Sequence, residues 1–200
     1  MRAVRNSFFG FVGLALVAGL TVASPASAYP PGTKPTITLS RVNVLVNRPV
    51  TVSVAKPAAG NLQIKVGQLI QNVTVVTAGT TTSRTFTPVG AGIKKVIATD
   101  AAGDKARTTL YVSSIKIPNN AYLSRPAPKT KLRNATIKIE IKWVKPGAAI
   151  GVSVGSKIYT IRAASDGSGA KLTHRFTSVG SYPVRVTYPG VTFTKTVTVR

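Results

Sequence analysis

In the stretch Ile137-Lys138-Ile139-Glu140-Ile141-Lys142-Trp143 every apolar side chain falls in one phase and every charge in the other. A period of two marks a half-buried β-strand, because successive side chains leave a pleated backbone on opposite faces. Val50, Val52 and Val54 alternate with Thr51 and Ser53 in the same way. The same reading predicts strands over 36–39, 61–66, 69–76, 81–87, 93–99 and 105–113, then over 149–154, 157–162, 171–177, 181–188 and 191–199. Turn formers separate them: Pro57-Ala58-Ala59-Gly60, Asp100-Ala101-Ala102-Gly103-Asp104, Asp166-Gly167-Ser168-Gly169 and Pro189-Gly190. No amphipathic helical stretch of useful length intervenes, so the fold class expected is all-β.

The pattern occurs twice. Phe86-Thr87-Pro88-Val89-Gly90 returns as Phe176-Thr177-Ser178-Val179-Gly180, each followed by an alternating strand. Upstream, Lys56-Pro57 with Leu62, Ile64, Val66 and Gly67 matches Lys145-Pro146 with Ile150, Val152, Val154 and Gly155. Landmarks repeated in one order indicate two copies of one unit. Many short strands with turn signals between them give each copy the pattern of an antiparallel β-sandwich.

The run from Phe176 through Gly180 and Tyr182 to Val186 resembles the corner between strands E and F of bacterial immunoglobulin-like and fibronectin-III-like domains. Val96-Ile97-Ala98-Thr99-Asp100-Ala101-Ala102-Gly103 is similar to their following hairpin. The resemblance implies two tandem Ig-like sandwiches, 29–115 and 116–200. It implies a tyrosine corner in the second only, since Lys94 stands about where Tyr182 does. Spacer and binding roles are common to such domains, and fold alone does not choose between them.

Residues 1–28 have the form of a secretory signal peptide: Arg2 and Arg5, an apolar run from Phe8 to Ala23, then Ala26-Ser27-Ala28 as a cleavage site. The run is short of the ~20 residues needed to span a bilayer. No membrane span is expected after cleavage, and the expected location is outside the cell, free or held noncovalently to the wall. With no cysteine, the exported chain must stand on its cores alone. The compact leader points to a bacterial source.

Lys and Arg number 27 against 4 Asp plus Glu, a net charge of +23, and both halves share the excess. It is densest at Arg125, Lys129, Lys131 and Arg133, which lead into the strand carrying Lys138 and Lys142. These six residues are the expected contacts to a polyanion, with the two strand lysines on one solvated stripe. The partners so implied are anionic envelope glycopolymers or other extracellular polyanions. Specific nucleic-acid recognition is not expected, because no reading motif is visible and aromatics are few. The alternative is a protein-binding module of adhesin or inhibitor type that uses loops at the sandwich ends.

Catalysis is not expected, and neither a cofactor nor a metal. Four carboxylates, one histidine and no thiol leave few ways to build an acid/base pair, a nucleophile or a metal cage. His174 shares the phase of Leu172 and Phe176 and is expected in the core. Asp100 and Asp104 bracket a hairpin turn, and Trp143 is expected to be buried at the end of its strand.

Overall fold

Alternation decides which face each strand buries. Val50, Val52 and Val54 are 0–1% exposed, as are Ile139 and Ile141, while the residues between them face outward. The computed structural model describes residues 34–123 and 134–200. The expected signal peptide and the four cations Arg125, Lys129, Lys131 and Arg133 lie outside the described residues.

Every regular element among the described residues is a strand. The first half holds β1 (Thr36–Leu39), β2 (Asn43–Leu45), β3 (Val50–Ala55), β4 (Gly60–Val66), β5 (Leu69–Val75), β6 (Thr82–Phe86), β7 (Gly92–Thr99) and β8 (Lys105–Lys116). The second holds β9 (Asn120–Ala121), β10 (Ala135–Lys142), β11 (Ala149–Val154), β12 (Lys157–Arg162), β13 (Gly169–Phe176), β14 (Gly180–Tyr188) and β15 (Val191–Val199). Two short strands, β2 and β9, were not anticipated. Each pairs in parallel with the strand that closes its half, β2 with β8 and β9 with β15.

Three sheets build two immunoglobulin-like sandwiches. The first packs β1-β3-β6 against β8-β7-β4-β5, and its core joins Val50, Val52, Val54 and Phe86 to Leu62, Ile64, Val96 and Leu110. The second packs the β8-β10-β13 ladder against β12-β11-β14-β15-β9, with Ile137, Ile139, Ile141 and Phe176 meeting Val152, Val184, Val186 and Val197. Each such side chain, fully withdrawn from water, contributes roughly 1.5–3 kcal/mol.

Strand β8 belongs to both sandwiches. Residues Lys105 to Val112 pair with β7, Tyr111 to Ser113 with β2, and Ser114 to Lys116 with β10, so the ladder runs without a bulge. Leu110 and Val112 enter the first core, whereas Ile115 packs on the second and Ile117, just past the strand, is buried in it. Even and odd positions of a strand point to opposite faces. The two cores therefore lie on opposite faces of β8, and residues 115 and 116, where the sequence divides, fall inside it.

Polar side chains lock this junction. Asn43, 1% exposed, donates its amide to the Pro189 carbonyl at 3.1 Å and accepts the Lys145 N–H at 2.9 Å. Ser113, fully buried, donates to the Trp143 carbonyl at 2.8 Å. Gly167 of the second half lies so close to Tyr111 and Ile93 of the first that a Cβ there would stand 3.4 and 3.5 Å from their rings and methyls. Tyr111 is thus half-buried at the junction.

Trp143 departs from expectation. Its φ of 61° places it in the left-handed region, which ends the strand and turns the side chain off the apolar face. It is only half-buried, and the next residue, Val144, takes the core position at 0% exposure. Lys56 (φ 56°) followed by buried Pro57 does the same after β3. The structural counterpart of Lys56-Pro57 is therefore Trp143-Val144, and the matching Lys145-Pro146 is exposed.

The tyrosine corner forms as the resemblance implies. The Tyr182 hydroxyl reaches back to the Ser178 carbonyl at 3.2 Å and the Ser178 hydroxyl at 2.6 Å, and its ring packs on Phe176. Tyr182 covers Gly155, and in the first half the Lys94 side chain covers Gly67.

Candidate anion-binding face

Strand β10 buries Ile137, Ile139 and Ile141, so Thr136, Lys138, Glu140 and Lys142 leave by the outer face. Its neighbours add charge in register. Across β13, Lys171 stands opposite Glu140 and Arg175 opposite Thr136. Across β8, Lys116 stands opposite Glu140 on its other side. Directly opposed side chains are ~5 Å apart at Cβ, and those two positions along a strand ~7 Å. Glu140 is accordingly the centre of a cross of four lysines: Lys116 and Lys171 beside it, Lys138 and Lys142 along the strand.

The four lysines and Arg175 are exposed, whereas the Glu140 side chain is 23% exposed. Lys138 Nζ lies 3.3 Å from Glu140 Oε1. The hydrogen bond from Lys138 holds the Glu140 carboxyl below its ordinary value, against some desolvation, and the charges of Lys138, Lys142 and Lys171 act in the same direction. The carboxylate stays ionised and offsets part of the repulsion among the lysines.

Of the sequence-expected contacts, Lys138 and Lys142 come together on this face. Lys116, Lys171 and Arg175 were missed because they belong to other strands. The outward phase of Lys171 and Arg175 against Leu172, His174 and Phe176 is the sequence signal by which two of them could have been found.

Side chains suited to chemistry are engaged structurally. His174, 5% exposed, packs edge-on against Phe176 and Tyr159, and the Tyr159 hydroxyl meets its Nδ1 at 2.8 Å. Burial, and then the nearby Lys157 charge, lower its pKa, so it is neutral at pH 7. Asp100 is a turn staple: its carboxylate accepts the N–H groups of Ala58, Ala102 and Asp104 at 3.1, 3.1 and 2.9 Å. Asp166 accepts the Ser168 N–H at 2.8 Å, and that bond chiefly lowers its pKa. Among the described residues no cluster of three or more His, Cys, Asp or Glu is placed to hold a metal, and no helix is long and apolar enough to cross a membrane.

No protein-family model matches the chain, and no curated protein matches it. Solved structures do. The chain is similar to the fibronectin(III)-like modules of Clostridium thermocellum CbhA at 12% identity, covering 82% of this chain and 94% of that one, with a TM-score of 0.27. It is similar to the D0-D1 domain of intimin at 13% identity, covering 82% and 95%, with a TM-score of 0.31. A tetra-tandem repeat from the extending region of a large adhesion protein matches at 15% identity over 82% of this chain and 47% of that one, TM-score 0.31. These likenesses are of β-domain type, and no partner or activity passes from them to this chain.

Proposed function

We propose that the protein is a secreted, noncatalytic binding and structural module that associates with anionic polymers of the bacterial envelope through the outer face of β8, β10 and β13. Its units are the two sandwiches, 29–115 and 116–200. The observation that carries the reading is the set of five exposed cations, Lys116, Lys138, Lys142, Lys171 and Arg175, gathered from three strands around one carboxylate. Arg125, Lys129, Lys131 and Arg133 precede β10 in sequence and add to the same charge. A flexible phosphate-bearing chain suits this surface, because it can follow cations spaced ~5–7 Å apart. One aromatic ring borders the ladder, Trp143, which shares a pocket with Lys142 and Lys171, too few for the successive stacking of bases on which single-strand binders rely.

The test is binding of the purified protein to bacterial walls before and after removal of their anionic polymers, over a salt series. Engagement of five cations by a flexible polyanion gives a slope of log K on log[salt] near about −3.5. Binding that survives polymer removal and is flat with salt overturns the proposal. The second reading is a protein partner at the sandwich ends. It is favoured by Val89 and Val179, 68% and 63% exposed on the same turn of the two halves. Salt-insensitive binding to a protein is its signature.

A further inference from the structure

A second basic face exists, on the other side of the shared strand. In the first sandwich β8 buries its even positions, Leu110 and Val112, so Lys105, Arg107 and Thr109 leave by the odd face. Arg107 stands opposite Ile97, which stands opposite Lys65, while Lys95 stands opposite Thr109 and Lys105 opposite Thr99. Lys65, Lys95, Lys105 and Arg107 thus share one sheet face across β4, β7 and β8. A groove of ≈ 470 Å³ runs there, lined by Lys95, Ile97, Arg107, Thr108 and Thr109. The acids of the adjacent turn are Asp100, whose carboxylate is taken up by backbone N–H groups, and exposed Asp104.

In the second sandwich the sense is reversed. Ile115 points to the core and Lys116 to solvent, beside Glu140. Arg107 and Lys116 are an odd number of residues apart on a strand without a bulge, so their side chains leave by opposite faces, roughly 30 Å apart along β8. A single polymer lying on one face does not cover the other.

We infer that the protein bridges two anionic polymer chains, one held on the Lys65, Lys95, Lys105 and Arg107 face and the other on the Lys116, Lys138, Lys142, Lys171 and Arg175 face. This rests on the polyanion-binding reading and adds valence to it. One envelope polymer is tied to another without an enzyme and without self-association of the protein. Because both sites are fixed to one strand, their separation does not depend on a flexible linker.

The experiment uses poly(glycerol phosphate) on beads, the purified protein, and fluorescent poly(glycerol phosphate) added after washing. Bridging brings the label to the beads only when protein is present. One variant carries Lys65→Gln, Lys95→Gln, Lys105→Gln and Arg107→Gln. The other carries Lys116→Gln, Lys138→Gln, Lys142→Gln, Lys171→Gln and Arg175→Gln. All nine substitutions are on outward positions, and unchanged thermal melts confirm folding. Each variant is expected to stay on the beads at low salt through its remaining face while capture of label falls toward the level seen without protein, because one of the two polyelectrolyte contacts that bridging needs is removed.

Retention of wild-type protein without capture overturns bridging and leaves the polyanion reading standing. Capture undiminished in either variant overturns it too, since generalised charge or pairing of protein copies is then sufficient. Failure of the wild-type protein to stay on the beads overturns both readings.

Discussion

The side-chain carbonyl of Asn43 accepts the backbone N–H of Lys145 at 2.9 Å, joining residues 102 positions apart in sequence. The other end of the same amide holds the Pro189 carbonyl. One buried side chain thus ties the entry of the first sandwich to two loops of the second. Replacing Asn43 with Ala leaves the Lys145 N–H and the Pro189 carbonyl without this partner at a part-buried junction, at a cost of about 1–2 kcal/mol. Urea denaturation is the check, with an unchanged midpoint showing that water replaces both bonds.

Asp100 makes three backbone contacts from one carboxylate and pins the β3–β4 loop to the β7–β8 turn. Asp100→Ala is expected to lower stability by about 3 kcal/mol, whereas Asp100→Asn, which keeps one acceptor oxygen, should cost about half as much. Equal losses in the two variants, measured by chemical denaturation, would show that the charge alone matters.

The Tyr188 phenol is 3% exposed, and burial pushes its pKa up to about 12, against the opposing effect of contact with the Ser113 side chain. A raised folded value means that the unfolded chain ionises first. The contribution to stability is complete below pH 10 and is lost as pH rises from about 10 toward 12, amounting to about 2–3 kcal/mol. The unfolding free energy of wild type minus that of Tyr188→Phe, followed from pH 9 to 12, should fall by that amount, the change favouring the variant. A constant difference would exclude this titration.

Glu140 holds the lysine cross together and also reduces its positive charge. Glu140→Gln should strengthen polyanion binding several-fold at low ionic strength, by about one unit of charge in a screened field. The same change should lower the thermal midpoint slightly in dilute buffer and less in salt. Weaker binding on titration calorimetry would mean that the carboxylate positions the lysines for the ligand.

The strands were legible because core valines and isoleucines alternate with polar residues: β1, β11, β12 and β15 match the predicted spans, and most others match within a residue or two. What escaped has physical reasons. Two or three residues, as in β2 and β9, are too few to display a period. Ser113 and Ser114 read as the end of a strand, yet they are where β8 passes between cores, and polarity there reflects a change of side. Trp143 fits the apolar phase of its strand, and only its left-handed backbone reveals that the pattern stops one residue earlier. The basic face was half legible: Lys138 and Lys142 declare themselves within one strand, while Lys116, Lys171 and Arg175 join them only through pairing register.

The passage of β8 between two cores also constrains how this chain can change in length. Val112 and Ile115 have opposite parity along the strand and enter different interiors. Inserting or deleting one residue between them would drive Lys116 toward the second core and expose Ile115, because a shift of one exchanges the faces of everything downstream. A change of two residues preserves parity and alters the distance between the sandwiches and, through the strand's twist, their relative rotation. An odd step is tolerated only where a bulge absorbs the extra residue and returns the downstream side chains to their faces.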